Sequence, residues 1–462
     1  MIGGLKPYAE YKESGLPWLQ AVPSHWVTKR GKSYMTCIDQ RSKSGKEELL
    51  TVSSARGVIP RNTAKVTMFE AESYAGYKLC WPGGLVINSL WAWGGGLGVA
   101  QHHGIISTAY SVYRPRPSAQ MNPRFLHELV RSSAFHWELQ VRSKGVWISR
   151  LQLTDMSFLD ALIPLPPPEE QSAIVRFLYH ANWKIDGFIR AKRKLIGLLN
   201  EQKQAIIHQA VTCGLDPNVP LKPSGIPWLG DIPIHWDIRP LKQTLLRMDY
   251  GTSESSTGDG KFRVLTMGHI QNGRVLVPEE GGINDIPAGL LLKTNDLLFN
   301  RTNSPELVGK VGIFSGSNET PVTFASYLVR LRVRPEHNPS WLNYLLNSFR
   351  FWAFARSQAL VSLHQANLNS SRYGRMNIPV PSRADQDSIV EHIYAQTSVI
   401  NTAIARTERE ITLIQEYRTR LTADVVTGKL DVREAAAKLP DLPTDAAPDA
   451  PLEEIETEED TE

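Results

Sequence analysis

Five places in the 462-residue chain bring together side chains that could do chemistry. Trp93-Gly94-Gly95-Gly96-Leu97-Gly98 has the G-x-G-x-G spacing that lets a backbone approach S-adenosylmethionine or a dinucleotide. No acidic residue follows a clear second strand, and the Asn-Pro-Pro-aromatic motif of base methylation is missing, so a glycine turn between strands is expected. Gly31-Lys32-Ser33 looks like the close of a phosphate-binding loop, but Trp26 stands where its leading glycine belongs. His102-His103 could ligate a metal, yet no third ligand follows at a suitable spacing. Glu169-Glu170 could work as an acid/base pair, but carboxylates at a helix start also stabilise its positive end. Cys37, Cys80 and Cys213 are too scattered for zinc or a disulfide framework and suit a reducing compartment. The chain is therefore expected not to be an enzyme and to hold no metal or cofactor.

Reading nucleic acid is the second chemistry. One set of polar residues comprises Arg56, Arg61, Lys65, Arg142, Lys144 and Arg150; another comprises Asn300, Arg301, Asn303, Lys310, His364, Gln365 and Arg372. Arginine and lysine match guanine edges and phosphates, and amides match adenine. The net charge of +4 is unevenly placed. From Asp431 onward 12 acidic residues face only Arg433 and Lys438, a balance of −10 that leaves +14 on the body. Such a body suits a polyanion, and the tail, residues 429–462, is expected to be solvated and disordered.

The elements that must hold these residues come in duplicate. SGLPWLQAVPSHW (Ser14 to Trp26) recurs as SGIPWLGDIPIHW (Ser224 to Trp236), 210 residues later. IPLP (Ile163 to Pro166) recurs as IPVP (Ile378 to Pro381), and Asn122-Pro123 as Asn338-Pro339, 215 and 216 residues on. LNEQKQAIIHQAVTCGLD, ending at Asp216, aligns with IQEYRTRLTADVVTGKLD, ending at Asp431. A period this long means duplicated domains rather than a solenoid. Glu169-Glu170 meets Ala384-Asp385 in the other copy, so the carboxylate pair is not repeated.

Short apolar runs such as LCWPGGLVINSLWAW (Leu79 to Trp93) and DLLFN (Asp296 to Asn300) predict strands, and Asn-Pro opens an amphipathic helix in each copy. After IPLP or IPVP the pattern changes. Ile174, Leu178, Ile185, Phe188, Leu195, Leu199 and Ile206 recur at helical spacing, as do Ile389, Ile393, Ile400, Ile414 and Leu421. These stripes predict two long coiled-coil-like helices packing antiparallel about a pseudo-two-fold, although each could instead fold back on its own domain. The expected fold is α+β: globular domains over 1–165 and 215–381, long helices over 166–214 and 382–428, and the tail. No run of 18 apolar residues predicts a membrane span, and Met1 to Glu10 lacks a secretory pattern, so a cytoplasmic protein is expected.

On these motifs, from about Tyr11 to Asp431, the chain resembles the specificity subunit of type I restriction–modification systems. The resemblance rests on SGLPWL…VPSHW and SGIPWL…IPIHW, IPLPPPEEQ and IPVPSRADQ, the DLLFNR stretch, and the LNEQKQAIIHQAVTCGLD ending. It implies two target-recognition domains that each read one half of a bipartite, asymmetric site on double-stranded DNA. It also implies helices that act as a ruler and assembly with two methyltransferase (modification) subunits and with restriction subunits. S-adenosylmethionine, ATP and magnesium would belong to those partners. The first-half counterpart of Asn300-Arg301 departs from it, reading Asn88-Ser89. Two other readings stay open: a standalone DNA methyltransferase or nuclease using Gly94 to Gly98, and an assembly scaffold without sequence preference.

Overall fold

The fold is α+β, seen in a computed structural model that describes residues 5–64, 71–145, 151–254, 260–316, 321–362 and 365–442. The chain divides into two units, residues 1–192 with 408–462 and residues 193–407, so each unit takes part of both long helices.

In the first unit four antiparallel strands lie in the order Met35–Ile38, Tyr110–Pro115, Leu85–Asn88 and Leu97–Val99. The helix Pro123–Arg131 covers them with Phe125, Leu126, Leu129 and Val130, all buried. Asn122 starts that helix because its side-chain oxygen accepts the backbone N–H groups of Arg124 and Phe125, and Pro123 needs no partner at the first position. The strand Val27–Arg30 pairs antiparallel with Leu162–Leu165, which carries the IPLP landmark. In the second unit the sheet has six strands: Leu245–Tyr250, Leu328–Val333, Leu297–Asn300, Val311–Ile313, Arg274–Val275 and Ile270–Gln271. Asn338 and Pro339 start its helix Pro339–Leu346 in the same way, and Asp237–Pro240 pairs with Asn377–Val380, the IPVP landmark.

A glutamine locks each copy. Gln171 Oε1 accepts the Asn122 N–H at 2.6 Å, while its Nε2 donates to the carbonyls of Pro166 and Gln120 at 2.9 and 3.2 Å. Gln386 Oε1 accepts the Asn338 N–H at 2.8 Å, and its Nε2 reaches Pro381 O at 2.9 Å and His337 Nδ1 at 3.1 Å. The glutamine thus fastens the helix-opening Asn-Pro turn to the end of the IP-x-P strand.

The long helices are Pro168–Cys213, 46 residues, and Arg383–Val426, 44 residues, about 69 and 66 Å at the usual rise. In the first unit Asp186 pairs with Arg418 at 3.1 Å and Lys192 with Glu410 at 2.5 Å, so the two helices run antiparallel there. Ile174, Leu178, Leu421 and Val425 join that unit's core, and Ile185 is buried too. Ile389 and Ile393 join the core of the second unit, where Ile400 is also buried. Leu199, Ile206 and Ile414 are only half-buried; Ile207 takes the core position beside Ile206. Phe188 and Leu195, expected on the stripe, are exposed, because a 3.6-residue helix drifts off a 3.5-residue repeat and carries the seam around its surface.

Both helices end at a glycine with positive φ, Gly214 (+78°) and Gly428 (+76°). The buried Trp236 lies 3.3 Å from where a Cβ on Gly214 would stand; a Cβ on Gly428 would fall 2.5 Å from Pro23 and 3.1 Å from Trp26. The repeated tryptophan therefore seats on a helix end in each unit. Past Gly428 the tail does not begin disordered, as was expected from residue 429. Asp431 N–H bonds Lys6 O at 2.8 Å, Val432 and Ala436 are buried, and Arg433–Ala437 is helical. Apolar side chains there pack on the first unit, with Leu430, Leu439 and Leu442 at the margin, which outweighs the acidic composition. Residues 443–462 lie outside the described residues. Among the described residues no helix is long and apolar enough to cross a membrane.

Candidate nucleic-acid interface

In the second unit the buried strand Leu297–Asn300 runs into the segment 301–310, which carries the short strand Thr302–Asn303 and then turns back. Arg301 is held there by three groups: its Nη2 donates to Asn367 Oδ1 at 3.3 Å, its Nη1 reaches Ser326 O at 3.5 Å, and its guanidinium lies 5.1 Å from the Tyr250 ring centre. Thr302–Asn303 pairs with Gln365–Asn367, which pairs with Leu360–Ser362. This small sheet joins Arg301, Asn303 and the exposed Gln365. Arg372 is exposed on the helix Ser370–Gly374 and donates to Gln358 O at 2.9 Å. Lys310 leans over Trp352, 6.0 Å from its ring centre.

Asn300 is corrected by the structure: it is fully buried, its backbone tied to Lys310 and Gly309, and it offers no surface to a base. Its strand is buried on both faces, so the apolar run continues inward through a polar residue. Tyr250 and Asn367 escaped notice as the partners of Arg301, because pairing across the sheet, not spacing along the chain, brings them there. Electrostatics beneath this face come from Arg330, fully buried, whose Nη2 and Nε bond Asp249 Oδ2 at 2.7 and 3.1 Å. Burial would raise the Asp249 carboxyl, but hydrogen bonds from Arg247 and Arg330 outweigh it and hold it below the usual carboxylate range.

In the first unit the strand Leu85–Asn88 has the same place between its neighbours as Leu297–Asn300, and the turn that follows, 89–96, corresponds to 301–310. Here lies the glycine run. A Cβ on Gly94 would stand 2.6 Å from the Trp91 indole, and one on Gly96 2.9 Å from Trp91 O. These glycines make room for an indole against the backbone. Arg131 braces the turn, donating to Leu97 O and Ser54 O at 2.8 Å and to Ala55 O at 2.6 Å. It thereby fixes the tip of the hairpin Leu50–Ser53/Gly57–Pro60, on which Arg56 sits half-buried, with Nη2 on Thr63 O. Arg61 follows at the hairpin's end, half-buried.

Arg142 is corrected as well: its Nε bonds the buried Glu138 at 2.5 Å and its Nη1 bonds Ser157 O, so it serves the helix end. Lys144 is exposed, its backbone bridged to Gln152. Lys65, Arg150 and His364 lie outside the described residues.

The other motifs have structural duties. Glu170 is buried and accepts hydrogen bonds from Tyr8 Oη at 2.5 Å and Trp26 Nε1 at 2.8 Å, with His25 Nε2 2.7 Å away. Burial, and then that bond to Glu170, pushes the Tyr8 phenol up. Asp385 is the counterpart, 3.5 Å from His235. Lys32 pairs with Asp160 at 2.9 Å. Among the described residues no cluster of three or more His, Cys, Asp or Glu could hold a metal.

Two α+β units that each take part of both long helices, with turns of different residues at the same strand end, define a duplicated α+β fold. The comparisons agree with that class. No protein-family model matches the chain. It is 26% identical over 193 residues to the type I restriction enzyme MjaX specificity subunit of Methanocaldococcus jannaschii, covering 38% of this chain and 45% of that protein. It is 24% identical over 304 residues to the MjaVIII specificity subunit of the same organism, covering 64% of this chain and 68% of that one. The match thus spans just under half of the first relative. In fold the chain resembles one from a structure on complex assembly and conformational transition of the type I R-M system, at TM-score 0.63 and 15% identity. That alignment covers 88% of this chain and 99% of the other. In sequence, then, the chain is similar to type I specificity subunits, and in fold to a chain of a type I R-M system.

Proposed function

We propose that the chain is the DNA-recognition subunit of a type I restriction–modification complex, reading a bipartite, asymmetric site and scaffolding methyltransferase and restriction subunits. The observation that carries this is the paired strand end. One frame, locked by Gln171 or Gln386 and capped by Asn122 or Asn338, holds Ser89 to Gly96 in one unit and Arg301 to Lys310 in the other. Similar frames with different displayed residues suit two readers of different half-sites. In the second unit Arg301, Asn303, Gln365 and Arg372 would meet base edges and phosphates; in the first, Arg56, Arg61 and Lys144 would. The body's excess positive charge supplies the phosphate attraction. Each long helix contributes to both units, so inserting one helical turn would change the unread gap and not the elements read. Catalysis, with its S-adenosylmethionine, ATP and magnesium, belongs on this reading to the partner subunits in the cytoplasm.

Selection from a randomised duplex pool, with the methyltransferase subunits present, tests the proposal. Two short elements at a fixed separation are expected. Exchanging residues 16–162 for another recognition domain should alter one element alone. Recovery of unselected DNA, or turnover of DNA by the purified chain alone, overturns it.

A further inference from the structure

We propose that the Ser89–Gly96 turn is an apolar wedge for duplex DNA, Leu90 and Trp91 entering between base pairs at a readily unstacked step. This rests on the function proposed above and deepens it by assigning the first unit a different mode of reading from the second. Counting on from Asn88 and Asn300, Leu90 and Trp91 stand where the second unit has Thr302 and Asn303, and they are 52% and 41% exposed. Leu90 has no group to offer a base edge, and an indole face offers stacking. Side chains of this type unstack a step and bend the duplex toward more protein contact, most easily at pyrimidine–purine steps.

The turn is held by its own hydrogen bonds. Asn88 Oδ1 accepts the Leu90 N–H at 3.2 Å, and Trp93 Nε1 donates to Leu90 O at 3.1 Å. The N–H groups of Gly94 and Gly96 bond Trp91 O at 3.1 and 2.9 Å, and His136 holds Trp93 O. Trp93 packs on Trp91, ring centres 4.6 Å apart, and backs the outer indole. The elements beside the turn are cationic: Arg131 bonds Leu97 O just past it, and Arg56 sits on the hairpin whose Ser54 carbonyl would be 4.0 Å from a Cβ on Gly95. An apolar tip on a basic base suits a polyanion with a stacked interior.

The test uses the full chain co-expressed with its methyltransferase subunits and the duplex selected above, with 2-aminopurine placed at successive positions. Wild type should raise the fluorescence at one step of one half-site. Trp91→Ala and Leu90→Ala should each abolish that rise and weaken the site roughly tenfold, the size of one stacking side chain, while Trp91→Phe retains most of both. Asn303→Ala should change only the other half-site. If Trp91→Ala does not fold, Leu90→Ala carries the same readout from a side chain already half in solvent. Unchanged 2-aminopurine fluorescence in wild type, or full affinity in both alanine variants, overturns the wedge and leaves the proposed function standing. Variants that lose the methyltransferase subunits but keep their DNA affinity overturn it too, showing a protein-docking face. No sequence selection by wild type brings down both.

Discussion

Replacing Gln171 by Ala should loosen the first unit and leave the second intact. The side chain is 1% exposed and joins three backbone groups: the Asn122 N–H, the Pro166 carbonyl and the Gln120 carbonyl. A buried backbone group that loses its partner costs about 1–3 kcal/mol. Two of these three bonds are only part-buried, where water can replace them, so the expected loss is about 3 kcal/mol rather than the full sum. Gln171→Glu keeps the volume and removes both N–H donors, setting a carboxylate against two carbonyls; it should cost at least as much as alanine, which separates lost hydrogen bonds from a lost contact. Hydrogen exchange in graded urea reads the result locally. Amides of the Val27–Arg30/Leu162–Leu165 pair and of the helix Pro123–Arg131 should exchange faster, while those of Asp237–Pro240 and Asn377–Val380 stay as in wild type. Gln386→Ala should give the mirror pattern. Equal loosening of both units by either substitution, or a loss below about 1 kcal/mol in both, would refute the view that each glutamine locks its own copy.

Arg330→Met should destabilise the second unit by about 3–5 kcal/mol in urea melts, because Asp249 and the carbonyls of Gly289 and Leu291 lose a fully buried partner; a change under 1 kcal/mol would show that Arg247 alone suffices for Asp249. His127 is buried, accepts the Val99 N–H on Nδ1, and is pushed down to about 3 by burial and by Arg131. Its folded pKa lies below its unfolded value, so below about pH 6.5 the unfolded chain binds a proton that the native state refuses. Stability of the first unit should then fall as pH drops from about 6.5 toward 3, by up to about 1.4 kcal/mol per pH unit, and melts of His127→Gln should lose that slope.

Legibility in the sequence followed the reach of each interaction. Contacts within one turn or one repeat could be read directly: Asn-Pro at both helix starts, glycines at both helix ends, and the two long helices themselves, although Phe188 and Leu195 of the stripe are exposed. Arg142 was misassigned although its partner Glu138 lies four residues away on the same helix, a spacing that already signals an ion pair. Asn300 could not have been placed from its neighbours, since an apolar strand end looks alike whether its last residue points to solvent or into a sheet buried on both sides. Tyr250 lies 51 residues before Arg301 and meets it only through the pairing of Leu245–Tyr250 with Leu328–Val333 and of that strand with Leu297–Asn300. The docked segment after Gly428 was hidden by composition: Val432 and Ala436 sit four apart in a run otherwise dominated by charge.

These misses share a cause that bears on function. The residues repeated between the copies, Gln171 with Gln386, Asn122 with Asn338 and Trp26 with Trp236, bond or pack against the local backbone, so spacing reveals them. Of the residues that differ, Ser89 and Arg301 are still held within their own units, Ser89 buried beside Ser111 and Arg301 on Asn367, Ser326 and Tyr250, whereas Leu90 and Trp91 are largely exposed. A lock tolerates little change, since each altered group strands a backbone partner, whereas an exposed turn side chain changes at small cost to stability. Duplicating the frame therefore fixes two strand ends while leaving each free to acquire its own chemistry, arginine and amide in one, leucine and indole in the other. On that basis the two halves of a bound duplex should differ in mode of recognition as well as in sequence, one read through hydrogen bonds at base edges and the other through the ease of parting a base step.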